Sequence, residues 1–252
     1  MTARQPPRAA RGLRNVSPPP DGGAPILAVE DMNFAIEKNE FVSIVGRSGC
    51  GKSTVLNMIM GLLDPSAGSL LVNGAPVSGP GPDRGMVFQQ SGLFPWLTAE
   101  ENIQFGPKNA GVSKAERQKQ SDELIALIHM DAAKTRYPHE LSGGMQQRVA
   151  IARSLAMNPD LLLMDEPFGA LDELTREKMQ DELLAIWQEK RSTIVFVTHG
   201  IMEAVYLSDR VFVFGAHPGH MKKDIRIDLP RPRRRSDPKF MEYYDEIYAT
   251  IY

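Results

Sequence analysis

The sequence has 252 residues, 42% hydrophobic and 24% charged, a composition typical of globular proteins that excludes a disordered or collagen-like chain. Its 29 Lys and Arg against 31 Asp and Glu give a net charge of −2, which excludes a global basic field for non-specific nucleic-acid binding. One cysteine, Cys50, excludes an intrachain disulfide and a cysteine-based metal cluster, and every apolar stretch is far shorter than the roughly 18 residues that span a bilayer.

The first 25 residues differ in composition from the rest of the chain. They contain four arginines and, before Asp21, five prolines, but no aromatic residue. We interpret residues 1–25 mostly as a poorly ordered arm, because this composition provides little apolar surface to bury. A transit peptide is the alternative interpretation, although the prolines oppose the amphipathic helix that such peptides form.

Short apolar strands alternate with helices through the rest of the chain. Apolar residues at alternate positions predict a half-buried strand over 27–36, and a buried strand follows over 41–45. Further strands are predicted over 68–74, 161–164, 193–197 and 211–214, and helices over 54–63, 113–130, 142–157 and 173–190. The alternation indicates an α/β fold with a mostly parallel sheet covered on both faces, interrupted by a helical insertion at about 90–159.

A glycine-rich motif follows the buried strand at 41–45 and opens a helix. Residues 46–54 read GRSGCGKST, which satisfies the phosphate-loop pattern in the context that the pattern requires. The predicted nucleotide-binding residues are Gly46, Arg47, Ser48, Gly49, Cys50, Gly51, Lys52, Ser53 and Thr54. The glycines let backbone N–H groups approach phosphates, Lys52 reaches the β- and γ-phosphates, and the Ser53 hydroxyl ligates Mg²⁺. Cys50 is either a redox switch or a tolerated small residue. We favour the second interpretation.

Two acidic residues follow the predicted strand at 161–164. Parallel strands bring their carboxyl ends to one crevice, so Asp165 and Glu166 are expected beside the phosphate loop. We assign Asp165 to Mg²⁺ and Glu166 to the polarisation of an attacking water. A carboxylate pair after a strand is more often part of a helix-capping loop, but the phosphate loop in the same chain favours the catalytic interpretation.

The segment 141–148, LSGGMQQR, resembles the signature motif of ATP-binding cassette (ABC) ATPases. Gln89 resembles the Q-loop of that family, Gly169-Ala-Leu-Asp172 its D-loop, and His199 its switch histidine. The segments 94–98, 137–140, 166–172, 217–220 and 228–232 resemble importers of the nitrate/sulfonate/taurine class. The resemblance runs from about residue 13 onward. It implies a P-loop NTPase fold of the ABC type, with a mostly parallel core sheet, an antiparallel β subdomain and a helical subdomain.

The resemblance also implies a domain division and a set of site residues. We place the ATPase domain over 13–235, after a disordered basic arm over 1–12 and before a C-terminal helix over 236–252. The implied catalytic residues are Glu166, His199, Lys52 and Gln89, the metal ligands Ser53, Gln89 and Asp165, the signature residues Ser142, Gly143 and Gly144, and the D-loop residue Asp172. A lone histidine is usually structural, but the position of His199 after a third strand favours a functional role.

The function that the resemblance implies is ATP hydrolysis, with ATP and Mg²⁺, by the nucleotide-binding subunit of an importer. In the family, two copies pair head to tail, so that each signature covers the γ-phosphate held by the other copy. Integral membrane permease subunits bind the dimer at the cytoplasmic face of the cell membrane, and an extracytoplasmic solute-binding protein delivers the solute, here a small anionic one. No nucleic-acid partner is expected.

Two rival functions fit the sequence less well. A soluble ABC ATPase acting on nucleic acid or ribosomes usually joins two cassettes or has long coiled coils, whereas this chain has one phosphate loop and no heptad run. A nucleotide-binding regulator without turnover is expected to lack Glu166 or His199, and both are present.

Two further segments have open interpretations. The run 93–97 is a wall of the permease groove or ordinary packing. The basic run 231–235 is a solvated turn leading into a packed terminal helix or, less favoured, a membrane contact.

The chain departs from the family pattern at three places. The family stacks adenine on an aromatic residue near the end of the first strand, but residues 1–33 contain no Phe, Tyr or Trp and the expected place reads Ser17-Pro-Pro-Pro20. Met145 replaces the commoner glutamine of the signature, which matters little where backbone groups bind phosphate. Gly200 follows the switch histidine, where an aspartate is more usual.

The missing aromatic predicts weak discrimination between purine nucleotides. Adenine would rest on proline or aliphatic surface, and the lost stacking is about 1–3 kcal/mol by analogy with base–aromatic contacts. We expect weakened ATP binding, with GTP competing almost equally against labelled ATP in an equilibrium binding assay. A strong preference for ATP over GTP in that assay would contradict the prediction.

Overall fold

The computed structural model describes residues 8–17 and 25–252. The chain forms two compact units, a first unit of Met1–Gly81 with Thr193–Tyr252 and a second unit of Pro82–Ser192. The strands are β1 (Arg8–Ser17), β2 (Ile26–Ile36), β3 (Phe41–Gly46), β4 (Ala67–Val72), β5 (Ala75–Pro76), β6 (Arg84–Val87), β7 (Leu161–Asp165), β8 (Thr193–Thr198), β9 (Arg210–Gly215) and β10 (His220–Arg226). The helices are α1 (Lys52–Met60), α2 (Ala99–Asn109), α3 (Lys114–Leu127), α4 (Gly143–Leu155), α5 (Glu173–Lys190), α6 (Ile201–Leu207) and α7 (Pro238–Ile251).

The parallel strands of the first unit form its core. β3 pairs in parallel with β8 on one side and β9 on the other, and β10 pairs antiparallel with β9. Every residue of β3 and β8 is buried, as expected for parallel strands covered on both faces. Helices α1 and α6 both pack on β3 and β8, and α7 packs on α6 and β9.

The first unit also contains an antiparallel sheet in the strand order β2-β1-β4-β5. The predicted strand at 68–74 corresponds to β4, which ends at Val72. Asn73 and Gly74 then turn the chain into β5 with φ of 52° and 79°, as a two-residue hairpin requires.

Strand β1 differs from the sequence expectation, which places its residues in a poorly ordered arm. It pairs with β2 on one side and β4 on the other, and it buries Ala10, Leu13 and Asn15. Register shifts around Gly12, whose φ is 56°, break the two-residue period, so the alternation that identifies a strand in a sequence is absent. The remainder of the predicted arm, 1–7 and 18–24, lies outside the described residues. The domain boundaries at 12/13 and 235/236 remain predictions.

The second unit combines two parallel strands with four helices. β6 pairs in parallel with β7, α4 packs on β6, α2 and α5, and α2 packs on α3. The three helices predicted over 113–130, 142–157 and 173–190 correspond to α3, α4 and α5. Ser113 caps α3 by accepting a hydrogen bond from the Glu116 N–H at 3.2 Å.

The basic run before helix α7 is more tightly packed than the sequence suggests. The helix buries Phe240, Ile247 and Ile251. The interpretation of 231–235 as a solvated turn is wrong for Arg233, which is 6% exposed, because its guanidinium donates to backbone carbonyls at the end of α6. Arg231 pairs with Asp209. Within residues 8–17 and 25–252, no helix is both long and apolar enough to cross a membrane.

Candidate nucleotide site

The phosphate-loop motif forms the turn between β3 and α1. Gly49 and Gly51 have φ of 77° and 86°, in the left-handed region that favours glycine. A Cβ on Gly46 would lie 2.7 Å from both the Cys50 Sγ and the Phe214 carbonyl oxygen, so a larger residue does not fit there. Helix α1 begins directly after the loop, so its positive dipole end faces the loop, as in anion sites at helix N-termini. No side chain caps this helix N-terminus.

Lys52 places a positive charge inside this loop. Its side chain is 7% exposed, and its Nζ donates to the carbonyl oxygens of Gly46 at 2.8 Å and Arg47 at 3.2 Å. A buried ammonium, a glycine-rich turn and an uncapped helix N-terminus together fit the phosphate chain of a nucleotide. The Arg47 guanidinium lies over the ring of Tyr252, 5.5 Å from its centroid.

Cys50 is fully buried in the middle of the loop. Burial raises the pKa of its thiol, an effect that nearby Lys52 opposes only in part. Because thiol oxidation proceeds through the exposed thiolate, this environment disfavours a redox switch. The structure supports the interpretation of Cys50 as a small residue that packs against Gly46.

The side chains of Gln89 and Glu166 converge in the second unit. Glu166 follows β7 with a φ of 46°, and its carbonyl oxygen accepts a hydrogen bond from the Gly169 N–H at 3.0 Å. A Cβ on Gly169 would lie 3.1 Å from the Gln89 Nε2 and 3.7 Å from the Glu166 Oε2. The structure therefore brings together two predicted catalytic residues that are far apart in the sequence, over a glycine whose missing side chain leaves room for both.

The predicted metal ligands have the chemistry that Mg²⁺ prefers. Ser53 is exposed in the first turn of α1 in the first unit, whereas Gln89 and Asp165 belong to the second unit. Among the described residues, no group of three or more His, Cys, Asp or Glu could hold a metal. A hydroxyl, an amide oxygen and one carboxylate nonetheless suit Mg²⁺, which is usually held by one or two carboxylates together with substrate phosphates.

The signature segment opens α4. Ser142 is the N-cap, and its hydroxyl accepts from the Met145 N–H at 3.4 Å. Gly143 and Gly144 form the first turn, so their N–H groups lie at the positive end of a 13-residue helix. The predicted signature residues thus lie at a helix N-terminus, where backbone N–H groups favour an anion. They belong to the second unit, whereas the phosphate loop at 46–54 belongs to the first.

The D-loop lies next to the signature. A Cβ on Gly144 would be 3.0 Å from Thr175 Cγ2, and a Cβ on Gly143 would be 3.6 Å from Leu171 Cδ2. Asp172 is the N-cap of α5, where it accepts from the Thr175 N–H at 3.1 Å. Hydrogen bonds from the side chain and then the N–H of Thr175 lower the pKa of the Asp172 carboxyl. The sequence identified Asp172 only as a D-loop residue, and its capping role is an addition.

Two glutamines of α4 hold the Q-loop, a role that sequence reasoning missed. Gln147 donates to the carbonyl oxygen of Phe88 at 3.2 Å, and Gln146 accepts from the Ser91 hydroxyl at 3.1 Å. Both flank Gln89. The signal was available in part, because the two glutamines belong to the signature motif, but their partners could not be read from the sequence.

Comparisons with known proteins agree with this geometry. Residues 29–169 match the ABC transporter family. The nitrate import ATP-binding protein NrtD of Synechocystis is 46% identical over 238 residues, which cover 90% of this chain and 88% of that protein. The taurine import ATP-binding protein TauB of Jannaschia is 42% identical over 250 residues, 95% of this chain and 93% of that protein.

The chain belongs to the ABC transporter family. A solved structure of the ATP-binding cassette MJ0796, a dimer in a post-hydrolysis state bound to ADP and Pi, has a TM-score of 0.75 and 33% identity, and covers 88% of this chain and 99% of that one. This similarity confirms the predicted ABC ATPase fold, with its mostly parallel core strands, antiparallel sheet and helical part. The protein is therefore a nucleotide-binding, ATP-hydrolysing enzyme.

Two further features of this ABC ATPase concern residues predicted to bind the nucleotide. His199 follows β8 and is exposed, as a group that contacts a substrate must be. The expected place of the adenine-stacking aromatic, 17–20, lies outside the described residues except for the backbone of Ser17, which ends β1.

Proposed function

We propose that this ABC ATPase is the ATP-hydrolysing subunit of an importer that takes up a small anionic solute of the nitrate, sulfonate or taurine type. The observation that most directly supports this function is that NrtD and TauB, both import ATP-binding proteins by name, are similar to the chain over 90% and 95% of its length. On this proposal the protein binds separate permease subunits at the cytoplasmic face of the inner membrane, and an extracytoplasmic binding protein supplies the solute.

The proposed chemistry assigns each predicted residue a task on ATP. The N–H groups of the phosphate loop and the Lys52 ammonium hold the phosphates, since Lys52 is buried within the loop. Glu166 polarises the attacking water and His199 holds that water and the γ-phosphate in line. Ser53, Gln89 and Asp165 hold Mg²⁺, which neutralises phosphate charge when bound.

The proposal includes a head-to-tail dimer of two copies. The N-terminus of α4 presents Ser142, Gly143 and Gly144 as an anion site, and a second copy's nucleotide is the anion that would complete it. The dimeric, ADP- and Pi-bound state of the MJ0796 cassette supports this arrangement. In a two-fold dimer each copy donates its signature to the other, so two nucleotides are enclosed.

An aromatic cluster in the second unit supports a permease-binding surface. Phe94 packs against Phe105, with ring centroids 4.3 Å apart, and lies under the Arg153 guanidinium at 5.6 Å. The Trp96 ring lies tilted beside that of Phe94, with centroids 5.5 Å apart, but Trp96 is 68% exposed. Within the run 93–97, Phe94 therefore fits ordinary packing, whereas Trp96 has the large exposed aromatic face that anchors protein interfaces. An open groove of about 390 Å³, lined in part by Gln89, Leu93 and Pro138, lies in the same unit.

We expect the substitution Trp96→Ala to weaken capture of the permease and to reduce permease-stimulated ATP hydrolysis, with little change in basal hydrolysis. The aromatic face is lost, and truncation of such an anchor costs about 2 kcal/mol or more of binding free energy. Affinity capture of the permease encoded beside this gene, together with ATPase assays, measures both effects.

Leu62→Ala is the matched control for that experiment. Leu62 is 55% exposed but belongs to the first unit, away from this cluster in the sequence, and its loss should leave permease capture unchanged. Undiminished capture and coupling in Trp96→Ala would rule out the permease-binding role of Trp96.

A further inference from the structure

We propose that Glu203 is a positioning residue for the switch histidine, His199, and that it acts through the hydroxyl of Thr198. The proposal rests on the role of His199 in the proposed function. Neither the sequence motifs nor the comparisons assign Glu203 a role. All three residues belong to the first unit, at the junction of β8 and α6.

A short hydrogen-bond relay joins the residues on either side of His199. The Glu203 Oε2 accepts a hydrogen bond from the Thr198 hydroxyl. The same hydroxyl oxygen accepts from the Gly200 N–H at 2.9 Å. Thr198 and Gly200 are the neighbours of His199 in the chain, so the relay fixes the backbone both before and after the histidine.

The relay is buried, whereas the histidine between its ends is exposed. Glu203 is 9% exposed and Thr198 is 2% exposed, whereas His199 between the relay's ends is exposed. A buried carboxylate is costly unless it is hydrogen-bonded, and a hydroxyl that donates to a carboxylate forms one of the stronger hydrogen bonds in proteins. The exposed histidine therefore lies between two residues that a buried, hydrogen-bonded carboxyl group supports.

Gly200, where the chain departs from the family pattern, lies at one end of the relay. Gly200 is the N-cap of α6, has a φ of −86° and provides no side-chain cap, so glycine is not needed there for its backbone conformation. A Cβ on Gly200 would lie 3.4 Å from both the Thr198 Oγ1 and the Glu203 Cβ. The space beside Gly200 is therefore bounded by the two side chains of the relay.

The test is steady-state ATP hydrolysis by Glu203→Ala, Glu203→Gln, Thr198→Val and Thr198→Ser. Misplacement of a catalytic group by about 1 Å can cost about 100-fold in rate, so we expect kcat to fall about 10-fold or more in Glu203→Ala and Thr198→Val. The KM for ATP should change by less than about 2-fold, because the phosphate loop keeps its own contacts. Glu203→Gln keeps an acceptor oxygen and Thr198→Ser keeps a hydroxyl, so both should recover most of the rate.

Two controls separate positioning from simple loss of stability. Glu40 is a second buried carboxylate of the first unit, 8% exposed and paired with Arg210 at 3.1 Å, and Glu40→Ala should lower Tm without lowering kcat below that Tm. The double variant Glu203→Ala/Thr198→Val should lose no more rate than either single variant, because all three remove the same relay.

Several results would overturn the proposal. One is an unchanged kcat in Glu203→Ala. Another is a loss of kcat in Glu40→Ala that equals the loss in Glu203→Ala at the same decrease in Tm. A third is a Glu203→Gln variant that is as slow as Glu203→Ala. His199→Ala identifies which proposal has failed. If His199→Ala keeps wild-type turnover, the proposed role of His199 is wrong. If His199→Ala is inactive and Glu203→Ala is normal, only the role of Glu203 is wrong.

Discussion

Glu166→Gln is expected to abolish steady-state ATP hydrolysis while ATP still binds. Glutamine has nearly the same shape as glutamate, so the side chain at position 166 keeps its place beside Gly169 and Gln89. A glutamine amide, however, cannot accept a proton from water. Loss of a general base typically costs about 100- to 10,000-fold in rate. Phosphate release measures turnover, and equilibrium binding of labelled ATP measures retention of the nucleotide.

The matched control for this substitution is Glu173→Gln. Glu173 is an exposed acid at the start of α5, and its ion pair with Arg176, at 3.1 Å, lies on the surface. Surface ion pairs contribute little, so this variant should hydrolyse ATP at the wild-type rate. If Glu166→Gln hydrolyses ATP at the wild-type rate, the assignment of Glu166 as the general base is wrong.

Arg233→Ala is expected to lower the free energy of unfolding by about 3 kcal/mol, because it leaves buried carbonyl groups without a donor. The guanidinium donates to the carbonyl oxygens of Val205, Tyr206 and Ser208 at the end of α6, and to those of Ile227 and Leu229 in the following segment. These include carbonyls that the last turn of a helix cannot satisfy by itself. Burial lowers the pKa of Arg233 to about 10, so the side chain stays charged at pH 7 and complements the negative helix end.

Arg234→Ala is the control that the chain itself offers, since Arg234 is the next residue and is exposed. Its loss should change the unfolding free energy by no more than about 0.5 kcal/mol. Urea denaturation followed by circular dichroism compares the two variants through their transition midpoints. Equal losses of stability in both would show that Arg233 is not the internal support of the α6 end.

The local parts of the site could be predicted from the sequence because their geometry depends on neighbouring residues. The turn between strand β3 and helix α1 depends on Gly49, Gly51 and Lys52. The start of helix α3 depends on Ser113 and on Glu116 three residues later. Strand β1 could not be predicted, since its register shifts remove the alternation that marks a strand. Helix α2 was overlooked although Thr98 and Glu101 form a complete capping box at its start.

Long-range contacts set the other limit on prediction. Nothing in the sequence around Arg233 indicates that the guanidinium bonds to carbonyls from 205 to 208, and the composition of that segment favours the wrong, solvated interpretation. The convergence of Gln89 and Glu166 on Gly169 likewise depends on how β6, β7 and their loops pack. Family resemblance named these two residues, but only the structure places them side by side.

The hydrogen bonds of Gln146 and Gln147 tie the Q-loop to the first turns of the signature helix. Because these contacts lie within one compact unit, the segment around Gln89 and the helix that begins after Ser142 are expected to move as one lever. In the proposed head-to-tail dimer, a force applied to the Q-loop by the permease would then tilt the signature residues that face the neighbouring copy. One subunit would in this way report the state of the permease to the nucleotide bound by the other.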